Sequence, residues 1–272
     1  MTNNLSNSDY KVLSMVLTRR IKNCADSIIG AHQTCNIQGR TIYDNLHFMR
    51  DFIKTAGNGG VLSLDQAAAF DNIDHEYILH VLKAFGFPKE ILDFVKTLYR
   101  DSCILVRTQE VLTKKLPICK GVKQGDPVAP LLFVIAMEPL LLRLTRRLLS
   151  IATGPCLPLP NTVISAYADD TCILISAVEQ FQAVEDELAL YGKHSGGRLN
   201  REISCFLPLG AWKDQTLNIN FPMVTHGFKV LGIFLGTRGY MNLNWSELLD
   251  KFRMKLDLYR AKFPNAGLLL RA

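Results

Sequence analysis

The sequence has no closely spaced cysteine pair. Its seven cysteines lie at positions 24, 35, 103, 119, 156, 172 and 205 and never form a C-x-x-C motif. This spacing argues against a zinc knuckle and against a thioredoxin-like redox site. An odd number of widely separated cysteines is typical of a reducing compartment, where thiols serve as small core residues.

A long unbroken apolar run is also missing. The longest apolar stretch lies between Val128 and Leu142, and Pro130, Glu138 and Pro139 interrupt it. It is therefore too short and too broken for a transmembrane helix. The N-terminus, MTNNLSNSDY, is too polar for a secretory signal. We therefore expect a soluble intracellular protein with no membrane partner.

What the chain does contain is the composition of an ordinary globular protein. Its 272 residues are 48% hydrophobic and 21% charged, which is enough to form a substantial core in one large domain or two small ones. The excess of 31 Lys and Arg over 25 Asp and Glu gives a net charge of +6, which permits a polyanionic partner but does not require one.

Helical and strand patterns alternate along the chain. Helical periodicity predicts helices at 9–23, 42–55, 74–86, 88–100, 131–149, 179–194 and 246–262. Short apolar runs predict a strand at 61–65, a β-hairpin at 103–118, a strand on each side of 168–170, and a strand or hairpin at 228–236. This order indicates an α+β fold with a small antiparallel sheet backed by helices.

Three acidic residues are the most informative feature of the chain. Asp169 and Asp170 are adjacent between two apolar runs, and Asp65 follows a predicted buried strand. Two acids inside a buried strand would be costly, whereas a turn lets both reach one point. Three carboxylates at one point can hold the two divalent cations of a phosphoryl or nucleotidyl transfer site. Each acid also has a structural explanation, since Asp is common in turns and at helix N-caps.

A glycine-containing loop, GVKQGDP at 121–127, precedes the long predicted helix. Its glycines would let a ligand approach the backbone closely. Lys123 offers a point charge to a phosphate, and Gln124 offers hydrogen bonds to a sugar or base. A plain connection between two elements is the alternative interpretation of this loop.

Seven segments follow one another in a distinctive order. They are LSNSDYKVL (5–13), HQTCNIQGRTIYDN (32–45), SLDQAAAFD (63–71), GVKQGDPVAPLLF (121–133), AYADD (166–170), SGGRLNREIS (195–204) and VLGIFLG (230–236). In this order they resemble the polymerase domain of a non-LTR retrotransposon reverse transcriptase, of the long interspersed element type. The resemblance covers nearly the whole chain.

The resemblance implies a right-hand polymerase architecture with fingers, an antiparallel-sheet palm and a truncated thumb. The implied divisions are fingers at 1–60, palm with a fingers insertion at 61–120, palm at 121–245, and the start of a thumb at 246–272. The strand at 230–236 would grip the primer end, and the basic tail helix would contact the nucleic-acid backbone. A core strand and a solvated helix face are the alternatives.

The implied activity is RNA-directed DNA synthesis on an RNA template, from a DNA primer and deoxynucleoside triphosphates, with two magnesium ions. By motif position, Asp65, Asp169 and Asp170 would be the catalytic metal ligands. Phe70 would place a bulky ring under the sugar and exclude a ribose 2′-hydroxyl. Its alternative is a core aromatic.

The remaining nucleotide contacts are implied by the same motifs. Gln124 and Gly125 would border the incoming nucleotide and template, and Lys123 and Arg40 would contact the triphosphate. Ordinary surface charges are the alternative for Lys123 and Arg40.

Several positions depart from the family pattern, and one of them bears on the chemistry. Ile203 stands where the family usually has a Lys that protonates the departing pyrophosphate. General-acid help of this kind contributes about 10²–10⁴-fold in rate. Arg201 or Lys193 could substitute, although Arg is a poor proton donor.

We also expect the chain to be a fragment of a longer polyprotein that carries an endonuclease. The resemblance implies a location in the nucleus or cytoplasm.

Two other functions stay open at this point. A catalytically decayed fragment could bind RNA or an RNA–DNA hybrid without turnover. A two-metal nuclease or an RNA-templated RNA polymerase would use similar acids. Phe70 argues against the ribonucleotide enzyme, and the absence of a His beside the acids in sequence argues against the nuclease.

Overall fold

The computed structural model describes residues 8–100, 102–105, 107–108, 111–151, 163–237 and 239–262. The helices are α1 (Ser8–Ile28), α2 (Ile42–Thr55), α3 (Ala69–Asn72), α4 (His75–Ala84), α5 (Lys89–Tyr99), α6 (Ala129–Ile151), α7 (Glu179–Ser195) and α8 (Tyr240–Lys262), with a 3₁₀ turn at Ala211–Asp214. The strands are β1 (Asn58–Leu64), β2 (Cys103–Ile104), β3 (Arg107–Thr108), β4 (Val111–Leu112), β5 (Leu116–Pro117), β6 (Ile164–Tyr167), β7 (Asp170–Ile175), β8 (Cys205–Gly210), β9 (Gly227–Val230) and β10 (Ile233–Gly236).

A four-stranded antiparallel sheet forms the centre of the molecule. Its strand order is β6-β7-β1-β8. The register of β1 pairs Leu64 with Thr171 of β7 on one side, and Ser63 with Cys205 of β8 on the other. The predicted α+β class with an antiparallel sheet is thereby confirmed.

Both faces of this sheet are covered. Successive side chains of a strand point to opposite faces, and in β1 Leu62 and Leu64 join the main core whereas Val61 joins a second cluster. The main core lies against α6, which contributes thirteen buried residues. The second cluster lies under α2 and the β9–β10 hairpin, through Met49, Phe52 and their neighbours. The two-sided burial explains why Val61, Leu62 and Leu64 are all apolar although they point to both faces of the sheet.

The segment at 228–236 forms a hairpin rather than a single strand. β9 and β10 pair through a two-residue turn, Leu231-Gly232, whose φ angles are 52° and 78°. Two consecutive positive φ angles match the right-handed twist of the flanking strands, so this turn suits a tight hairpin. The hairpin packs on the face of the sheet that carries the second cluster.

Helix α8 begins earlier than predicted and has no buried residue. The Asn244 side chain fixes it to β10: its Nδ2 donates to the Phe234 carbonyl at 2.8 Å, and its Oδ1 accepts from the Phe234 N–H at 2.7 Å. A Lys229–Glu247 ion pair adds a second contact. None of the helices described by the structure is long and apolar enough to span a bilayer.

We predict that Gly60→Ala destabilises the fold by about 1–3 kcal/mol, the typical cost of overpacking a core. A β-carbon at this position in β1 would overlap the Leu207 carbonyl oxygen and the Phe206 ring. Gly57→Ala is the matched control, because its β-carbon would meet nothing within 4 Å. Urea unfolding of both variants measures the difference, and equal midpoints would contradict the prediction.

Candidate active site

The three acids singled out in the sequence lie at one end of the central sheet. β1 ends at Leu64 opposite Thr171, so Asp65 and Asp170 are the next positions in the same register. Residues directly opposite on antiparallel strands have Cβ atoms about 4.5–5.5 Å apart. Asp169 lies in the two-residue turn that joins β6 to β7. The strand pairing thus gathers acids from two distant segments.

Electrostatics shows that these carboxylates influence one another. Burial raises the pKa of Asp169 above its ordinary value, and the charge of Asp65 raises it further. Burial is also the largest cause of the raised pKa of Asp170, followed by the charges of Asp169 and Asp65. All three residues are half-buried. Mutual repulsion combined with partial burial is typical of acids that share a functional site.

The chemistry of this donor set fits a divalent cation. Carboxylate oxygens are the ligands that magnesium prefers. A cation would offset the repulsion that, after burial, contributes to the raised pKa of Asp169 and Asp170. As the side chains stand, no group of three or more His, Cys, Asp or Glu in the described ranges is arranged to hold a metal ion. The residue types and the proximity of the three acids are compatible with a metal site. In their present conformations, the side chains do not form a coordination geometry.

A loop from 198 to 204 holds the backbone around Asp65. The Asp65 N–H donates to Ser204 Oγ at 3.0 Å, and the Asp65 carbonyl accepts from the Asn200 N–H at 2.8 Å. Two residues later, the Ala67 N–H donates to the Arg198 carbonyl at 2.8 Å. Ser204 is fully buried. These bonds satisfy the polar backbone groups where β1 ends.

The turn that carries Asp169 has a strained backbone. Ala168 has φ 54°, in the left-handed region that costs a non-glycine residue about 1–2 kcal/mol. The fully buried Gln33 side chain hydrogen-bonds the backbone of Ala168. Asn45 holds the preceding strand, with its Nδ2 donating to the Ser165 hydroxyl at 2.9 Å and the Ala166 carbonyl at 3.0 Å. Gln33 and Asn45 both lie in the motif at 32–45, but the sequence predicts a role for neither.

The tip of the β9–β10 hairpin also reaches the acids. The backbone N–H of Leu231 donates a hydrogen bond to the Asp170 carboxylate, which partly counteracts the rise in its pKa. Leu231 is the first residue of the hairpin turn. The sequence predicted a primer contact for this segment, whereas its bond to an acid was not foreseen.

Of three predicted nucleotide contacts, Phe70 lies in the short helix α3, whereas Gln124 and Gly125 lie on the loop ahead of α6. Phe70 is half-buried and stacks on Phe133, with ring centroids 4.4 Å apart. Gln124 is exposed, and its Nε2 lies 3.4 Å from Asp71 Oδ1. Gly125 is exposed with φ 82°, a conformation that glycine adopts readily. That these three residues contact an incoming nucleotide remains a prediction.

Lys123 and Arg40 have partners within the fold. The Lys123 ammonium donates to the Leu98 carbonyl at 2.8 Å and lies over the rings of Tyr10 and Tyr99. Burial lowers its pKa. The Arg40 guanidinium pairs with Asp26 at 2.5 Å, donates to three carbonyls of residues 29–33 and is 18% exposed. Both cations therefore stabilise their own loops, and a triphosphate contact stays a prediction for each.

A match to a protein family identifies the family to which this chain belongs. Residues 1–235 match the family described as "Reverse transcriptase (RNA-dependent DNA polymerase)". The chain belongs to the reverse transcriptase family. The matched region includes all three acids and the loop at 121–127.

Curated relatives place it among the non-LTR retrotransposon reverse transcriptases, as the motifs predicted. The 149 kDa protein of transposon TX1 from Xenopus laevis is 32% identical over 266 residues, covering 94% of this chain. A Pol polyprotein of the retrotransposable element R2 from Popillia japonica is 34% identical over 114 residues, covering 42% of this chain. The chain spans 20% of the length of the first relative and 18% of the second.

A solved structure supports the fold independently. The apo telomerase from Candida tropicalis, truncated from its C-terminal domain, aligns with a TM-score of 0.55 and covers 84% of this chain and 43% of its own. At 12% sequence identity, this likeness concerns the fold alone.

Ile203, where the motif predicts a Lys, is open to solvent. Ile203 is 63% exposed in the turn of the 198–204 loop. The nearby Arg201 forms a bidentate ion pair with Glu185, at 2.8 and 2.5 Å, which raises the pKa of its guanidinium. Arg201 is thus held as a structural cation and is a weaker candidate for a proton donor than the sequence indicated.

We predict that Asp170→Asn raises the melting temperature in metal-free buffer near pH 7.5. A folded-state pKa above the ordinary value of 3.8 means that the charged form destabilises the native state. That penalty is fully present above the folded pKa and disappears as the pH falls below 3.8. The gain should therefore shrink as the pH falls through the folded pKa, because the wild-type carboxylate becomes protonated. The Asn amide oxygen can still accept from Leu231.

Thermal melts at several pH values measure this effect. Asp214→Asn is the control, because that carboxylate is exposed. A pH-independent change in the Asp170 variant, or a loss of stability at pH 7.5, would contradict the assignment of a shared acidic site.

Proposed function

We propose that this domain is an RNA-directed DNA polymerase that transfers nucleotides from deoxynucleoside triphosphates to a primer 3′-hydroxyl. The observation that carries the proposal is the set of three half-buried carboxylates at one end of the sheet. Burial, and after it the charge of the neighbouring carboxylates, raises the pKa of Asp169 and Asp170. Membership in the reverse transcriptase family supplies the reaction class. The chain covers 20% of its Xenopus relative, so the activity of a whole polyprotein is part of the proposal.

Asp65, Asp169 and Asp170 would hold two magnesium ions. When bound, such ions lower the pKa of the attacking hydroxyl and stabilise the charge on the leaving group. The residues of the chain position the reactants: β1 and the 198–204 loop present Asp65, and the β6–β7 turn presents the other two. The hairpin tip at Leu231 would lie beside the primer end, because it already contacts Asp170.

Phe70 would select the sugar. Its ring stacks on the fully buried Phe133, so it cannot easily give way to a bulkier ribose. Gln124 and Gly125 would border the nucleotide on the exposed loop ahead of α6. Lys123 and Arg40 would contact the triphosphate only by exchanging some of their present hydrogen bonds.

The right-hand architecture assigns each part of the fold a task. In the proposed division, residues 1–60 form the fingers, 61–120 the palm with a fingers insertion, 121–245 the palm, and 246–272 the start of the thumb. β1 and α8 each cross one of these boundaries. The exposed basic residues of α8 would contact the backbone of an RNA template and DNA primer; they are Lys251, Arg253, Lys255, Arg260 and Lys262. The proposal includes an endonuclease in the same polyprotein.

Binding without turnover is the second candidate function. It is favoured by Ile203 at the position of the expected proton donor and by the engagement of Arg201 with Glu185. It predicts salt-sensitive binding of RNA that persists when all three acids are neutralised. Polymerisation and binding are therefore separable by experiment.

We predict that the wild-type domain extends oligo(dT) on poly(rA) with magnesium, and that Asp169→Asn lowers the rate by about 10²–10³-fold or more, since the charge lost acts in the transition state. Filter binding of the same template-primer should change little. Asp214→Asn, which removes an exposed carboxylate, is the control for both assays. Tight binding without any extension by the folded wild type would select the second candidate.

A second prediction concerns the sugar. Phe70→Val should raise the incorporation of ribonucleotides relative to deoxynucleotides by roughly 10-fold or more, because the steric barrier is smaller. Competition between UTP and dTTP in primer extension gives the ratio of ribonucleotide to deoxynucleotide incorporation. Phe133→Leu, which alters the ring beneath Phe70, controls for general loosening of the core. An unchanged ratio for Phe70→Val would assign Phe70 to the core alone.

A further inference from the structure

Gln33 uses its side-chain amide to hold the residue before the first acid of the Asp169-Asp170 pair. The Ala168 N–H donates to Gln33 Oε1 at 2.9 Å, and Gln33 Nε2 donates to the Ala168 carbonyl at 3.2 Å. Gln33 Oε1 also accepts from the Cys35 N–H at 3.0 Å. The Gln33 side chain is fully buried. A single amide thus pairs with both backbone polar groups of one residue.

The residue that Gln33 holds is the one whose conformation is unfavourable. Ala168 has φ 54° and is buried, and an L-residue with a β-carbon rarely occupies that region without support from its surroundings. Asp169 follows it directly. The direction in which the Asp169 carboxylate leaves the turn therefore depends on the backbone of Ala168.

Gln33 is itself held from two sides. On the sheet side, the Ala166 N–H donates to the His32 carbonyl at 2.8 Å, and the Thr34 N–H donates to the Ala166 carbonyl at 3.1 Å. On the helix side, His32 Nε2 lies 3.1 Å from the carboxylate of Glu138 in α6. That carboxylate is fully buried and also accepts from the Gly30 N–H at 2.9 Å. The segment at 30–34 is therefore fixed between β6 and α6.

We propose that Gln33 is a positioning residue for the reaction: it keeps Ala168 in the left-handed conformation and so sets the position of the Asp169 carboxylate. This inference rests on the proposed polymerase function. The Gln33 side chain forms its hydrogen bonds with the backbones of Ala168 and Cys35, not with the carboxylates of the three acids. In the proposed scheme it contacts no substrate and acts only through the backbone of the turn. The Glu138–His32 pair supports it from α6.

The chain offers a matched control in Gln180. This residue is also fully buried, and its Oε1 accepts from the N–H groups of Ser176 at 2.7 Å and Ala177 at 3.1 Å. Its Nε2 donates to the Leu148 carbonyl at 2.9 Å. Gln180 thus makes the same kinds of bonds, but beyond the opposite end of β7 from the acids.

The experiment compares Gln33→Met with Gln180→Met. Methionine keeps most of the side-chain volume and removes the amide, so both variants lose similar buried hydrogen bonds and similar thermal stability. Hydrogen exchange by mass spectrometry should show faster exchange in the peptide that contains Ala168 only for the Gln33 variant. Primer extension should show a kcat about 10–100-fold lower for that variant, with KM for dTTP within about threefold of the wild type.

Equal exchange at Ala168 in the two variants, or equal kcat values at equal folded fractions, would overturn the proposal. If Gln33→Met does not fold, Gln33→Asn provides the same comparison, because its amide is one methylene too short to reach Ala168. If the folded wild type extends no primer, the proposed polymerase function fails. The exchange measurement then still decides whether Gln33 holds the turn.

Discussion

Repulsion between carboxylates is the constraint on which the site depends. Three acids that would avoid one another in solution are brought to one end of the sheet by the pairing of β1 with β7 and by the tight β6–β7 turn. Burial is the largest cause of the raised pKa values of Asp169 and Asp170, and the charges of the neighbouring carboxylates raise them further. The free energy for this arrangement comes from the cores on both faces of the sheet, where β1 and β7 are buried.

Polar side chains from distant segments keep the acids in place. Strand ends leave backbone N–H and C=O groups without sheet partners, and buried groups of this kind require hydrogen bonds. Ser204 and Asn200 satisfy Asp65, Gln33 satisfies Ala168, and the Leu231 N–H reaches Asp170. The acids are thus enclosed by three loops, each of which is itself packed against a helix or a strand. The result is a rigid frame around side chains that repel each other.

The cations that the motifs assigned to the site are already paired within the fold. Lys123 and Arg40 are engaged with backbone carbonyls, and Arg201 is paired with Glu185. Such contacts order the loops, which reduces the entropy lost when a substrate is bound. Because Arg201 is paired with Glu185, it does not supply a free cation beside the exposed Ile203. Polymerisation by this domain would accordingly rely on its acids more than on proton donation from the 198–204 loop.

The sequence alone determined the α+β class and the family and singled out three acids as candidates, because residue type, apolar periodicity and motif order are local properties. It could not identify Gln33, Glu138 or Ser204 as supports. Their partners lie 135, 108 and 139 positions away, and a buried Gln or Glu looks the same in sequence as an exposed one. Only the tertiary structure decided which backbone groups lacked sheet partners and which charged side chains were already paired, because both depend on the contacts made when remote segments pack together.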